Sequence, residues 1–387
     1  MLNHNKQIVC ISTHYWDDPW FRKQHFMSRF HKKGYKIAYI EPSFSMVRKV
    51  DVSKKRYATN RFFTTIVEEI SNGLFIIKPL RYLPFWTRPP ISKLNFLFLS
   101  FFINSALKKI GFKDYILWIY RPQFANSLRM FNYKKLVFDI TDDLAAYDYK
   151  NKSKYVYIKN CMEYLAKKSD MTIVTASTLL EKFKRFSSNI YQIPNGYDSD
   201  LFTQINNSLC PEDIKHIPKP VIGFVGTIFS FLDYELLKYI ITHNKDKSFV
   251  FVGNCVANSK KEWSTILEYK NVYWLGKKGK EEIPAYINRF DVCINPFKVD
   301  DVSRSVSPLK VFEYLAAHRP VVSVRMEALM QEKVSELIYF ANSYQDFQAA
   351  LNKALGRDGA SQKWSLIDQY SWDVLFEKAY SAVVGDK

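Results

Sequence analysis

Several features of secreted, disulfide-bonded and membrane-spanning proteins are missing from this sequence. Its five cysteines are odd in number and none is spaced as C-x-x-C, so neither a disulfide framework nor a zinc site is expected. The first seven residues are polar and contain no signal-peptide core. The longest apolar stretch, Leu94–Leu107, is shorter than the ~20 residues that span a bilayer. We therefore expect a cytoplasmic protein without a transmembrane helix.

The sequence also lacks short repeats and low-complexity tracts. Its 387 residues are too many for one ordinary core and fit two α/β domains. Hydrophobic residues make up 47% and charged residues 24%, values that are typical of a folded globular protein. The formal net charge of +18 favours anionic partners, which are nucleic acid, anionic lipid or phosphorylated ligands. No motif with stacking aromatics on basic strands is present, so nucleic acid is not expected as a partner.

Short β-branched runs alternate with helical stretches twice along the chain. This alternation predicts two Rossmann-like, doubly wound parallel sheets that bind ligand at the carboxyl ends of their strands, in a cleft between domains. Ser343 is predicted to cap a helix over Tyr344–Leu355. The predicted parts are an N-terminal domain over 1–197, a linker over 198–220, a second domain over 221–368 and a helix over 369–387.

The stretch Asn295–Pro320 contains the most informative pattern. A strand end is followed by a loop of about ten residues and then by a helix, with Ser307 as the predicted cap and Pro308 at the first helical position. A helix N-terminus binds phosphate through its free N–H groups. Arg304 and Lys310 flank this terminus, and Glu313 lies about one and a half turns along, where a carboxylate can accept both ribose hydroxyls. The alternative is an ordinary amphipathic helix with Glu313 in solvent.

Two loops in the N-terminal half contain residues suited to acceptor binding or catalysis, and both follow predicted strands. The first supplies the candidate acceptor ligands His14, Trp16 and Asp17, with Arg22 on the next helix. The second ends the predicted strand that begins at Lys135 and contains three carboxylates, Asp139, Asp142 and Asp143. The three carboxylates suit an acceptor hydroxyl or catalysis, helix capping, or a divalent cation. Arg121, at a third strand end, is either a ligand of an acceptor phosphate or an exposed loop residue.

The segment Met46–Phe63 is strongly basic, with six Lys or Arg residues against Asp51 alone. It is either a solvated loop or a contact with an anionic membrane surface. The apolar patch at Asn95–Phe102 suits the same surface.

The sequence from Pro308, P-L-K-x-F-E-Y-L-A-A-x-x-P-V-V, resembles the donor-site signature of retaining GT-B glycosyltransferases of the family 4 group. The resemblance implies that Glu313 binds the donor ribose and Lys310 a phosphate. The family often has a second Glu where this chain has Ser305. The donor-binding residues implied are Gly226, Thr227, Arg304, Ser307, Leu309, Lys310 and Glu313.

Three further segments resemble the same family. Ile173–Phe202, with its I-P-N-G-x-D sequence, is similar to the end of the family's N-terminal domain, and Val221–Thr227 is similar to the first strand of its donor domain. The helix predicted over 369–387 resembles the family's terminal helix, which implies that it crosses back to the N-terminal domain. The Arg and Lys that the family has after this strand are missing, and Arg304 is expected to replace their charge. In the family a residue near the second N-terminal loop contacts the reacting sugar, which implies catalytic roles for Asp139 or Asp142.

The resemblance implies transfer of a sugar from a nucleoside-diphosphate sugar, with uridine as the expected base and with retention of configuration. The implied acceptor is a glycan or a lipid-linked glycan of a capsule, lipopolysaccharide or teichuronic-type polymer, at the inner face of the plasma membrane. No metal and no cofactor are expected, because the cations and the helix dipole neutralise the leaving diphosphate. Two alternatives are a sugar-nucleotide 2-epimerase or hydrolase of the same fold and a non-catalytic binding subunit.

Overall fold

The structure, a computed structural model, describes residues 6–43, 65–84, 91–148, 151–203, 210–300, 306–356 and 363–385. The chain divides into two compact units. One contains the described residues up to Thr175, then Leu179–Ile193 and the chain end from Ala379. The other contains Ala176–Thr178 and Pro194–Lys378. The final helix, predicted to cross back from the second domain, therefore contributes its last residues to the first unit.

The first unit is built on an eight-stranded sheet in the order β3-β4-β2-β1-β5-β6-β7-β8, in which β3 is antiparallel to its neighbour. In chain order, the elements up to residue 192 are β1 (Gln7–Ile11), α1 (Arg22–Lys32), β2 (Lys36–Ile40), β3 (Ile66–Ser71), β4 (Leu74–Lys78), α2 (Ile91–Lys109), β5 (Tyr115–Ile119), β6 (Tyr133–Ile140), α3 (Lys152–Lys168), β7 (Met171–Val174), α4 (Ser177–Phe183) and β8 (Ile190–Gln192). Short 3₁₀ helices cover Pro122–Met130 and Ala146–Asp148.

The centre of this sheet is apolar on both faces. Every residue of β1 and of β5 is buried, and the two strands pair in parallel with Val9 opposite Leu117. The chain runs from β1 towards β2 on one side and later returns to β5 on the other. The strand order therefore reverses between β1 and β5, which is where open α/β sheets bind ligands.

The edge strand β3 escaped prediction. Its sequence, IVEEIS, contains Glu68 and Glu69, and its residues are exposed or half-buried. An edge strand with one free side does not need the continuous apolar run that identifies a central parallel strand.

The second unit contains a six-stranded parallel sheet in the order β11-β10-β9-β12-β13-β14. Its elements are α5 (Ser199–Thr203), α6 (Glu212–Lys215), β9 (Val221–Val225), α7 (Tyr234–Thr242), β10 (Ser248–Val252), α8 (Lys260–Ile266), β11 (Val272–Trp274), α9 (Ile283–Arg289), β12 (Val292–Asn295), α10 (Leu309–Ala316), β13 (Val321–Val324), α11 (Glu327–Met330), β14 (Ile338–Ala341) and α12 (Tyr344–Leu355). The last helix, α13 (Trp372–Val384), begins in this unit and ends in the first. Here the order reverses between β9 and β12. Both sheets thus have the predicted doubly wound arrangement, and the predicted fold class is confirmed.

The predicted linker contains structure of its own. The segment 198–220 includes α5 and α6, and Ile214 and Phe202 pack into the core of the second unit. A few apolar side chains in a polar stretch are enough to anchor it, because each fully buried one contributes roughly 1.5–3 kcal/mol.

Two of the helix boundaries show how local chemistry determines the ends of elements. The Ser343 hydroxyl accepts a hydrogen bond from the Asp346 N–H at 3.0 Å, so the predicted cap of α12 is confirmed. Asp233 caps α7 in the same way through the Leu236 N–H. No helix in the described ranges combines the length and apolar character needed to cross a bilayer.

Candidate functional site

The donor-site candidate lies at the carboxyl ends of β9 and β12, where the second sheet reverses its strand order. Gly226 directly follows β9, and α10 is the helix that follows β12. One face of α10 is buried, with Val311 and Leu315 fully inside the core. The half-buried Lys310 and Glu313 lie three residues apart on its other side, the spacing of neighbours on one helix face.

The N-terminus of α10 differs by one residue from the prediction. Pro308, not Ser307, is the cap residue, with φ −75° and ψ 110°, and no described side chain caps the helix. Proline has the fixed φ that suits this position, but its ring nitrogen has no hydrogen to donate. Ser307 is buried just outside the helix, and its carbonyl accepts a hydrogen bond of 2.8 Å from the Asn195 amide. The Val311 N–H donates to the Pro308 carbonyl at 3.1 Å. Within the described residues, the N–H groups of Leu309 and Lys310 are left to a ligand or to solvent.

Lys310 is the cation of this helix terminus. Its ammonium lies 4.7 Å from the ring centre of Phe224 and 4.2 Å from that of Phe297. Within the described part of the chain, it makes no ion pair. Burial lowers the pKa of Lys310 to about 7, and Glu313 only partly opposes this effect. An anion beside this ammonium would relieve the cost of burying its charge.

Gly226 brings the backbone close to Lys310. Its φ is +146°, a conformation that side chains rarely adopt, and a Cβ placed there would lie 2.9 Å from Lys310 Cε. The Gly226 N–H donates to the Val252 carbonyl at 2.9 Å, which fixes the turn after β9. The backbone conformation requires glycine here, and an added methyl group would displace the end of the Lys310 side chain.

Glu313 lies in a field of two cations and one carboxylate. Burial raises the pKa of Glu313, while Lys310 and Lys280 lower it and Asp198 raises it. Lys280 and Asp198 form an ion pair of 2.7 Å. The sequence identified Asp198 as part of the I-P-N-G-x-D segment but missed Lys280, since no local pattern connects residues 82 positions apart.

Tyr314 fixes the position of α10 against the sheet. Its buried hydroxyl accepts a hydrogen bond from the Val225 N–H at 2.7 Å and donates to the Val225 carbonyl at 3.2 Å. The helix that bears Lys310 and Glu313 is thereby tied to the last residue of β9. The sequence analysis did not single out Tyr314, although it directly follows Glu313 in the predicted helix.

The remaining predicted donor ligands differ in what the structure shows. Thr227 is exposed directly after Gly226, and Leu309 is half-buried in the first turn of α10. Arg304 lies outside the described residues, as does Ser305.

In the first unit, the loop after β1 is held in a compact hydrogen-bonded turn. The His14 N–H donates to Ser12 Oγ at 3.0 Å, and the Tyr39 hydroxyl donates to the His14 carbonyl, also at 3.0 Å. Burial and, to a smaller extent, the nearby Lys23 together lower the pKa of His14 to about 3. The imidazole is therefore neutral at physiological pH.

Trp16 and Asp17 occupy the outer part of the same loop. Trp16 is half-buried, its ring 5.5 Å from that of Trp20 and 5.1 Å from that of Tyr39. Asp17 is exposed. The structure thus places the predicted acceptor ligands His14, Trp16 and Asp17 in one loop at the carboxyl end of β1.

Arg22 and Asp139 were predicted as an acceptor ligand and a catalytic group, but they pair with each other. Arg22 Nε donates to both carboxylate oxygens of Asp139, at 3.1 and 3.0 Å, and both side chains are buried. The Asp139 carboxylate also accepts from Trp118 Nε1 at 3.2 Å, and Arg22 Nη1 donates to the Ile193 carbonyl at 2.9 Å. A buried pair of this kind positions the elements around it.

Asp142 lies beside a cation that the sequence analysis did not single out. Lys23, on α1, is 3% exposed and its ammonium lies 5.1 Å from the Tyr120 ring centre. Burial lowers the pKa of Lys23 to about 8, against the opposing effect of Asp142 and Asp139. Burial likewise raises the pKa of Asp142 to about 6, against the effect of Lys23. Lys23 belongs to the polar run R-K-Q-H at the start of α1, and this run is buried. The run was the sequence feature that could have identified Lys23.

Asp143 forms an ion pair with Lys182 and is half-buried. The three predicted carboxylates therefore have different partners: Arg22 for Asp139, Lys23 for Asp142 and Lys182 for Asp143. Within the described ranges, no group of three or more His, Cys, Asp or Glu side chains is arranged to hold a metal ion.

The sequence of the second unit matches a known family. Residues 219–357 match the family described as Glycosyl transferases group 1. The chain is also 25% identical over 278 residues to the putative teichuronic acid biosynthesis glycosyltransferase TuaH of Bacillus subtilis (strain 168). The aligned region covers 68% of this chain and 70% of that protein.

The fold matches solved structures over nearly its whole length. An E. coli trehalose-6-phosphate protein bound with UDP-2-fluoro glucose superposes with a TM-score of 0.72, at 12% identity over 98% of this chain and 99% of the other. A trehalose-6-phosphate synthase studied for glycosyl transfer with retention gives a TM-score of 0.69, at 12% identity and with the same coverage. Together the matches confirm the predicted GT-B fold and the prediction that the chain is a glycosyltransferase.

Proposed function

We propose that this glycosyltransferase takes its sugar from a UDP-sugar and builds a cell-surface polysaccharide, with the diphosphate of the donor on the N-terminus of α10. The observation that supports it most is the pair Lys310 and Glu313 on one face of α10, beside the close backbone turn at Gly226. The similarity to a teichuronic acid glycosyltransferase supports the polymer class.

In this proposal the diphosphate rests against the uncapped first turn of α10, with Lys310 as its counter-charge. Three contributions add there: the N–H groups of the turn, the positive end of the helix dipole and the ammonium. The diphosphate site is also lined by the backbone of four neighbouring residues, which are Gly226, Thr227, Ser307 and Leu309. The ribose hydroxyls bind the Glu313 carboxylate, since a two-oxygen acceptor matches two neighbouring hydroxyls.

The leaving nucleoside diphosphate gains negative charge as the sugar acquires oxocarbenium character. Lys310 and the α10 dipole stabilise that charge in a poorly hydrated site. Stabilising the leaving group in this way is the main catalytic requirement of the reaction. We propose that these groups, together with Arg304, act without a metal ion. Retention of configuration is supported by the similarity to a synthase studied for that stereochemistry, and uridine by the similarity to a protein bound with UDP-2-fluoro glucose.

The acceptor is proposed to bind the first unit at the carboxyl ends of its central strands. His14, Trp16 and Asp17 lie in the loop after β1, and Asp142 and Asp143 follow β6. Of the carboxylates, Asp142 suits proton transfer best, because its pKa of about 6 is closest to neutrality. Arg22 and Asp139 support this region from within as positioning residues.

The exposed face of α2 is proposed to contact the inner face of the plasma membrane. Leu94, Phe98 and Phe101 are 58%, 45% and 60% exposed, and they follow one another at helical spacing. Exposed lysines at both ends of the helix, Lys93 and Lys108, suit anionic headgroups. The basic segment Met46–Phe63 lies outside the described residues.

Vesicle binding tests the membrane contact. Replacing Leu94, Phe98 and Phe101 by Ser should abolish sedimentation with phosphatidylglycerol vesicles at low salt, whereas Leu267→Ser, at an exposed apolar residue of the other unit, should not. Equal sedimentation of the triple variant and the original chain would contradict the contact.

A ligand screen tests the donor proposal and separates it from its rivals. UDP and UDP-sugars should raise the thermal midpoint of the protein, and the increase should be lost in Glu313→Ala. Each stabilising sugar nucleotide is then incubated with and without a bacterial inner-membrane lipid extract. Transfer that needs the extract supports the proposal, whereas loss of the sugar nucleotide without extract favours an epimerase or hydrolase. Binding without any turnover favours a non-catalytic subunit.

A further inference from the structure

A cavity of about 310 Å³ lies in the first unit where its sheet reverses strand order. Its walls come from the segments that follow four neighbouring parallel strands and from α3. The lining residues are Thr13 after β1, Pro42 after β2, Arg121 and Gln123 after β5, Leu144 and Tyr147 after β6, and Ile158 on α3. This is the position at which doubly wound sheets bind their ligands.

Arg121 supplies the cavity with a positive charge that no described carboxylate neutralises. Its guanidinium lies among aromatic rings, 5.3 Å from the centre of Phe96, 5.8 Å from Tyr82 and 6.0 Å from Phe124. Among the described residues no carboxylate pairs with it. Aromatic faces hold the guanidinium in place, and the Tyr82 hydroxyl hydrogen-bonds to it. Its remaining N–H groups match phosphate oxygens.

A second polar group in the cavity also needs a partner. Gln123 is 8% exposed, and its side-chain oxygen has no hydrogen-bond partner in the described part of the chain. Buried amides nearly always have partners, and rotation of this amide would present its N–H₂ group to an anion. Two groups suited to a phosphate thus line one wall.

The rest of the lining is largely apolar, with Pro42, Leu144 and Ile158 beside the polar wall. The helix that holds Arg121 through Phe96 is α2, whose opposite side exposes Leu94 and Phe98. A free sugar phosphate needs no apolar wall, whereas a phosphate attached to a hydrocarbon chain does.

We propose that this cavity binds the phosphate of a lipid-linked acceptor, with Arg121 as its counter-charge and Gln123 as a hydrogen-bond donor. The inference rests on the proposed function, for which it specifies the acceptor as an amphiphilic phosphate. Arg121 is a binding residue in this proposal and takes no part in bond making.

Calorimetry with three probes on the full chain tests the proposal: farnesyl diphosphate, farnesol and glucuronic acid. Farnesyl diphosphate should bind, and Arg121→Gln should weaken its binding about tenfold or more, because a charge-assisted contact is lost. Arg129→Gln, which removes an exposed arginine from the same 3₁₀ segment, should leave it unchanged. Gln123→Glu, of nearly the same shape, should weaken it as well, because the new carboxylate would pair with Arg121 and repel the phosphate.

UDP binding and the thermal midpoint are measured on every variant. Their retention shows that the fold is intact, and failure of UDP to bind any variant would count against the donor proposal alone. Farnesyl diphosphate binding that is insensitive to both Arg121→Gln and Gln123→Glu would overturn the inference. So would binding of farnesol as tight as that of farnesyl diphosphate, or Arg121-dependent binding of glucuronic acid alone.

Discussion

The Asn195 side-chain amide donates a hydrogen bond of 2.8 Å to the backbone carbonyl of Ser307, 112 residues further along the chain. Asn195 belongs to the I-P-N-G-x-D segment, and Ser307 is the last residue before the cap of α10. Both are buried. The bond fixes the point where the chain enters α10 and so positions the helix terminus proposed to hold the donor diphosphate.

Asn195→Ala should weaken UDP binding and destabilise the protein. The Ser307 carbonyl would lose its side-chain donor while still buried, a change that costs roughly 1–3 kcal/mol of unfolding free energy. Asn189→Ala removes an amide-to-carbonyl bond of the same length, 2.8 Å to Asp170, at an exposed position of the first unit. It should leave UDP affinity unchanged. Denaturant unfolding and UDP calorimetry on both variants check this, and equal UDP affinity of Asn195→Ala and the original chain would contradict the positioning role.

Gly226→Ala should abolish donor binding. The new methyl group would lie 2.9 Å from Lys310 Cε in a backbone conformation that alanine rarely adopts, so both the turn after β9 and the ammonium must move. Gly34→Ala is the matched control. Gly34 also has a positive φ, +83°, but nothing lies within 4 Å of the added methyl group. The control should lose about 1 kcal/mol of stability and keep UDP binding.

Binding of UDP should be coupled to a proton at Lys310. With a pKa of about 7, this ammonium is charged below pH 7 and increasingly neutral above it. A bound diphosphate favours the charged form and raises the pKa in the complex, so binding takes up a proton. UDP affinity should therefore fall as pH rises above 7, by up to about tenfold per pH unit.

Calorimetry at pH 8 in two buffers of different ionisation enthalpy measures this proton uptake. The original chain should take up a fraction of a proton approaching one, and Lys310→Met should take up none and bind UDP more weakly throughout. Identical binding enthalpies in the two buffers would show that Lys310 does not contact the diphosphate.

Arg22→Met should destabilise the first unit severely. It leaves the Asp139 carboxylate buried without its cation, which costs about 3–5 kcal/mol of unfolding free energy. Arg185→Met, at a side chain that is 69% exposed, should change stability by no more than about 0.5 kcal/mol. Denaturant unfolding measures both. A small loss of stability in Asp139→Asn together with complete loss of transfer would instead support the catalytic role first predicted for Asp139.

Much of the fold could be predicted because buried parallel strands have a distinct composition. The helix Tyr344–Leu355 has the bounds that the sequence predicted. The edge strand β3 was not predicted, because its glutamates interrupt the apolar run that identifies a buried strand. The one-residue shift at Pro308 arose because Ser307 turns its carbonyl to Asn195, a contact that no local rule includes.

The sequence predicted which residues lie at the strand ends, but it did not predict which side chains they contact. The sequence indicated that Asp139, Asp142 and Asp143 lie at the end of one strand. It could not indicate that Asp139 would be buried against Arg22, because that pairing depends on which helix packs over the strand. Arg121 was left open between a phosphate ligand and an exposed residue, and its aromatic surroundings place it in a cavity.

The most direct test of the donor site is calorimetry with UDP and with inorganic pyrophosphate on Glu313→Ala and Lys310→Met. Glu313→Ala should weaken UDP binding about tenfold or more and should not weaken pyrophosphate binding, because only UDP carries the ribose. Lys310→Met should weaken both, and Glu327→Ala, at an exposed glutamate of α11, should weaken neither. UDP affinity unchanged in both Glu313→Ala and Lys310→Met would contradict the placement of the donor on α10.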